Sequence, residues 1–201
     1  SYTPGDPIST TTGDTVLIQS QRGGCSAGSG CTTTAWGTIA SWTVVAQPTA
    51  PTLNVKSPNL ASVCTGTSVS ATANAGTGGS GCSDSYRFSV NNGNSFSSYT
   101  PGNSIATSTG DTVLIQSQRG GCTSGSGCTT TAWTTIASWL VVAQPTAPTL
   151  NTKTPNVATV CSGTNVSATA NAGTGGTGCS DSYRFSLNNG NSFSSYTPGN
   201  S

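Results

Sequence analysis

Residues 110–142 read GDTVLIQSQRGG, CTSGSGC and TTTAWTTIASWLVV in succession, and together they describe a β-hairpin. Along Asp111–Arg119, Val113, Ile115 and Ser117 fall on one side and Leu114, Gln116 and Gln118 on the other. That two-residue period belongs to a half-buried strand. From Thr129 to Val142, Trp133 and Trp139 stand among β-branched residues, which suit a pleated surface. Between Cys122 and Cys128 only Gly, Ser and Thr occur, so an exposed turn is expected, closed by the two sulfurs.

The same hairpin stands at 13–45. Tyr2, Tyr99 and Tyr196 all sit in the string SYTPG, which sets a period of 97 residues. Residues 1–97 and 98–194 differ at 16 positions, six of them Ser/Thr exchanges, and agree at 81. The chain is therefore a tandem array, with a period too long for a solenoid coil and right for one small β-domain.

Composition points the same way. Charged residues make up 5% of the chain, and the net charge of +1 gives no reason to expect nucleic acid. No run of apolar residues is long enough for membrane insertion. A chain so rich in Thr, Ser and Gly would be disordered without its alternating strands, its four Trp and its eight Cys. Cores this small need staples. The cysteines stand at Cys25, Cys31, Cys64 and Cys82, then at Cys122, Cys128, Cys161 and Cys179, four per repeat. Four cysteines allow three pairings. The close spacing of Cys25 and Cys31 suits a bridge across a hairpin mouth, leaving Cys64 for Cys82, so two disulfides per repeat are expected. A zinc site is disfavoured by the absence of His and by the spacing. Disulfides imply an oxidising, extracellular setting.

Within one period, the Pro-rich segment 143–153 (46–56 earlier) passes from a linker into an edge strand. Residues 67–75 form a strand, 76–82 a loop, and 85–100 a second hairpin turning at Asn92-Gly93. Six or seven short strands with turns every eight to twelve residues describe a β-sandwich. This phase places a complete unit at 51–148, the closing half of one at 1–50 and the opening half of another at 149–201. Half a sandwich leaves strand edges and an apolar face uncovered.

The strings VCSGTNVSATANAGTGG and CSDSYRFSLNNG (160–190), the G-C after the strand DTVLIQSQRGGC and the exit VVAQPTAPTL resemble repeats of giant surface proteins of Bacteroidota. Those repeats are immunoglobulin-like or PKD-like, and they include gliding-motility adhesins exported by the type IX system. The resemblance covers the whole repeat. It implies tandem immunoglobulin-like sandwiches in a cell-surface filament or stalk with adhesive use. In that family Asp-Thr-Val looks like an O-glycosylation pattern, which makes Thr15 and Thr112 acceptors.

Catalysis is not expected. Each repeat carries few charged groups, no His and no close carboxylate pair. Asp84 and Asp181 are read as solvated or turn-capping, and Arg22 and Arg119 as solvated strand ends. No metal or cofactor is called for. Trp36 with Trp42, and Trp133 with Trp139, are six apart on one strand face. Core burial is the expected fate, and an exposed sugar-stacking platform is the alternative. The expected function is structural: a spacer and attachment segment of an extracellular filament, whose partners are neighbouring repeats, copies of itself and a surface polysaccharide. The alternative is a carbohydrate-binding module using the Trp pair.

Overall fold

The computed structural model describes residues 2–108 and 110–200, and among these every regular element is a β-strand. They are β1 (Thr15–Ser20), β2 (Gly37–Thr43), β3 (Thr52–Ser57), β4 (Ser62–Cys64), β5 (Ser70–Asn74), β6 (Ser83–Ser89) and β7 (Ser97–Ser98). Then follow β8 (Thr112–Gly120), β9 (Thr134–Val142), β10 (Thr149–Thr154), β11 (Ser167–Asn171), β12 (Arg184–Phe185) and β13 (Ser194–Ser195). One sheet has five strands in the order β4-β9-β8-β6-β7, and β3 pairs with β5 in a smaller one. The remaining pairs are β1-β2, β10-β11 and β12-β13. The fold is all-β and sandwich-like.

Contacts sort the chain into two compact units that interleave along the sequence. One takes the chain up to Thr52 with Ala73–Tyr86 and Ser117–Thr134; the other takes Leu53–Thr72, Arg87–Gln116 and Thr135 onward. The second unit holds the apolar core: Val63, Val69, Ala71, Tyr99, Ile105, Val113, Ile115, Ala137, Trp139 and Val141. Val113 and Ile115 are buried while Leu114 and Gln116 are half-exposed, the alternation that β8 carries in its residue types. The Tyr99 hydroxyl accepts the amide of Ala71 at 3.0 Å and lies 2.9 Å from the Ala71 carbonyl, tying the residue to β5. Trp139 donates Nε1–H to the Pro58 carbonyl at 2.9 Å, so its polar handle is satisfied inside the core.

The first unit contains the β1-β2 hairpin. Val16 faces Trp42 and Ile18 faces Ala40 across the ladder, which puts these residues on one face. The second arm of the later hairpin begins at Thr134, not at Thr129. At Thr131 the backbone pairing is only half kept: its amide donates to the Arg119 carbonyl at 2.9 Å, but its hydroxyl, in place of its carbonyl, accepts the Arg119 amide at 2.9 Å. At 92–93 the expected turn is present, with φ of 61° at Asn92 and 83° at Gly93.

The cysteine pairing differs from expectation. Among the described residues one disulfide is formed, Cys82–Cys122, and Cys25, Cys31, Cys64, Cys128, Cys161 and Cys179 carry free thiols. Neither Cys25–Cys31 nor Cys122–Cys128 closes a hairpin mouth, Cys64 does not meet Cys82, and two bridges per repeat are not seen. Strand order supplies the reason. Cys82 immediately precedes β6 and Cys122 follows β8, and these strands are neighbours whose opposite ends meet. Cys64 ends β4 in register with Val142 of β9. Val141 in turn bonds Asp111, at the start of β8. In the strand order β9 and β8 come between β4, which Cys64 ends, and β6, which Cys82 precedes, so these two cysteines do not flank neighbouring strands.

Candidate functional site

The most elaborated polar structure lies around that disulfide, in the first unit. Arg119 donates Nη1–H to Asp84 Oδ1 at 2.7 Å and Nε–H to the Gly78 carbonyl at 3.0 Å. Asp84 Oδ2 accepts the Gly76 amide at 3.0 Å. Both charged side chains are 17% exposed, so they form a partly buried ion pair; Arg119 is not the solvated strand end expected, and Asp84, expected to be solvated or turn-capping, takes the loop amide of Gly76 as well as the guanidinium. Spacing alone hid the pair, because 35 residues separate the partners. Gly76 is required by proximity: a Cβ there would fall on the Thr49 carbonyl and crowd Asp84 and Arg119. Thr123 donates its amide to the Ser80 carbonyl at 2.8 Å, which brings the turn after β8 against the 76–82 loop. Burial, helped by the Asp84 carboxylate and opposed by Arg119, raises the Tyr86 phenol above its usual range.

The same knot grips the Pro-rich segment that enters it. Gly79 donates to the Ala46 carbonyl at 2.8 Å, and Thr49 and Thr77 exchange backbone bonds at 2.8 and 3.3 Å. Gln47 donates Nε2–H to the Gly127 carbonyl at 3.0 Å and accepts the Thr129 amide at 3.1 Å. Ser117 donates its hydroxyl to the Pro51 carbonyl at 2.7 Å. The segment 46–51 is thus bonded along its length. Ninety-seven residues on, Gly176 meets Ala143 and Thr174 meets Thr146 with the same geometry. There Gln144 Nε2–H reaches the Thr65 carbonyl at 2.6 Å, and Ser62 and Thr177 hydroxyls lie 3.2 Å apart.

The tryptophans separate by location. Trp139 is enclosed, Trp133 is half-buried just before β9, and Trp36 and Trp42 are exposed on the first hairpin. Trp133 and Trp139 therefore do not present a pair of open faces to a sugar ring. Lys56 Nζ stands 4.9 Å from the Trp139 ring centroid, and burial lowers its pKa. Thr15 is exposed at the start of β1, and Thr112 is half-buried with its amide donated to Asn92 Oδ1 at 2.7 Å. A side-chain ladder unforeseen in the sequence crosses β6, β8 and β9. Arg87 lies 3.9 Å over the Phe96 ring and donates two bonds to Gln116 Oε1, and Gln116 donates to Thr135 Oγ1 at 3.1 Å. Its members were legible only as outward positions.

Compared with known proteins, the chain matches no family model, no curated protein and no solved structure.

Proposed function

We propose that this chain is a structural segment of a long extracellular filament or cell-surface stalk, built of tandem immunoglobulin-like sandwiches and used as spacer and for attachment. The observation that carries this reading is the bonded linker. A flexible connector would leave 46–51 to water, whereas Ala46, Gln47, Thr49 and Pro51 each bond residues of the sequence repeat that follows. Extended Pro-containing backbone held in this way passes orientation from one repeat to the next. A low-charge surface, a disulfide at the end of the longest sheet and 81 identical positions per 97 suit a repeated extracellular part. Adhesive use, and Thr15 and Thr112 as candidate glycan acceptors, follow from the resemblance to Bacteroidota surface repeats. Imaging of the native material is the test. Uniform filaments with beads spaced by one repeat are expected, and dispersed single particles would sink the reading.

A further inference from the structure

Three sulfurs gather around the backbone of Ser80, inside the first unit. The Ser80 amide donates to the Cys128 sulfur at 3.3 Å, and the Cys82 sulfur of the Cys82–Cys122 bridge lies 3.9 Å from the Ser80 carbonyl. Cys128 is a half-buried free thiol six residues beyond Cys122. The tip of the turn between them is open. Gly125 and Gly127 take φ of 75° and 73°, and a Cβ on either would meet nothing within 4 Å. What holds the far end of this turn is the linker. Gln47 donates to the Gly127 carbonyl and accepts the Thr129 amide, so one side chain clamps the residues on both sides of Cys128. Without that clamp the glycine turn is free to fold back on Cys122.

We propose that this clamp is the catch of a thiol–disulfide switch: when a pull on the linker draws Gln47 away, Cys128 takes Cys122 from Cys82. The Cys128 thiol gives its proton to water, and the thiolate attacks the Cys122 sulfur. The Cys82–Cys122 bond breaks as the Cys122–Cys128 bond forms, and Cys82 leaves as a thiolate and takes up a proton. One disulfide replaces another, so no oxidant or reductant enters. Cys122 is the sulfur attacked because Cys82 is shielded. A Cβ on Gly79 would fall on the Cys82 sulfur, and the Ser80 carbonyl stands beside it. The new ring spans six residues of sequence where the old one spans 40. At about 3.3–3.6 Å per extended residue, about 11–12 nm of chain is then no longer withheld. The exchange turns a short tether into a long one, and only after the linker has yielded. Its use under load rests on the filament reading; the exchange chemistry does not.

The test uses the full 201-residue chain with Cys25, Cys31, Cys64, Cys161 and Cys179 changed to serine, so that only the three sulfurs in question remain. The oxidised chain is held at about pH 8.5, near the ordinary thiol pKa. Exchange is then stopped with acid, free thiols are blocked with N-ethylmaleimide, and the bridge is read by peptide mapping. The parent should keep Cys82–Cys122. Gln47→Ala removes both clamping bonds without any pull, and it should raise the ratio of Cys122–Cys128 to Cys82–Cys122 about tenfold or more. Adding Cys128→Ser should leave Cys82–Cys122 alone. Gln47 is exposed, so Trp emission should stay at the parent wavelength. An unchanged ratio in Gln47→Ala, or a Cys82–Cys128 product, would overturn the proposal. So would a parent already bridged through Cys122–Cys128, or exchange seen only where Trp emission has moved to its unfolded value. Native filaments beside an unchanged ratio would remove the switch and leave the filament reading standing. Dispersed native particles beside a raised ratio would do the reverse.

Discussion

Asp84 and Arg119 show how few charges this chain needs when each is placed. The carboxylate has two protein partners and the guanidinium has two, so replacing one member strands the other at partly buried positions. Asp84→Asn should lower unfolding free energy by about 1.5–3 kcal/mol, read from urea midpoints of the oxidised chain. Tyr86 beside them gives a pH signature. Its phenol is held above the ordinary 10.0, so the folded chain keeps a proton that the unfolded chain gives up first. The stability tied to it is complete below pH 10.0 and is lost as pH climbs through the folded value. Lys56 has the opposite sign: its folded pKa lies below 10.5, so stability rises as pH passes through that folded value toward 10.5. Tyr86→Phe should therefore lose less stability than the parent between about pH 9 and about pH 11, measured by urea midpoints. Equal losses in the two proteins would remove Tyr86 from the account.

At the level of the element, two almost identical hairpins have different fates. β9 buries Trp139 and β2 leaves Trp42 in the open, although the strands differ only at Gly37/Thr134 and Thr43/Leu140. Trp139→Ala should cost about 3–5 kcal/mol of unfolding free energy. Trp42→Ala in dilute, reduced chain should change the same transition by no more than about 0.5 kcal/mol. Chemical denaturation followed by Trp fluorescence checks both. The strands themselves were legible because β8 alternates and Asn92-Gly93 demands a left-handed turn. The cysteine partners were not, since they depend on which strands become neighbours. Sequence spacing favours Cys122–Cys128, yet the adjacency of β6 and β8 brings in Cys82 from 40 residues away. The knot was hidden for the same reason, because Asp84 and Arg119 are each ordinary in their own segment. Burial of the tryptophans was half legible: pattern gives the face, and only the presence of a covering strand decides whether the face is closed.

If the whole molecule carries load, as proposed, the position of the Cys82–Cys122 disulfide matters more than its strength. A bridge between Cys82 and Cys122 shortcuts 40 residues of chain, so a unit pulled from its ends cannot pay out that segment. At about 3.3–3.6 Å per extended residue, the withheld length is about 13–14 nm. The remaining segments, 51–81 and 123–148, still extend, so the bridge works as a stop and not as a lock. The proposed linker stiffness enters upstream of this event, because the amides of Thr49 and Gly79 must break their bonds before 46–51 can swing. Single-molecule stretching should therefore show an unfolding step shorter by about 13–14 nm in oxidised chain than in chain treated with dithiothreitol. Cys82→Ser should show the longer step under both conditions. Hydrogen exchange on the unstretched chain should find the Thr49 amide as protected as that of Thr77, its backbone partner. Random-coil exchange at Thr49 together with equal unfolding steps in the two redox states would remove the mechanical basis of the proposed spacer role. A long step confined to the reduced chain places the stop at Cys82–Cys122, because the other six cysteines are free in the folded chain and form no competing loop within it.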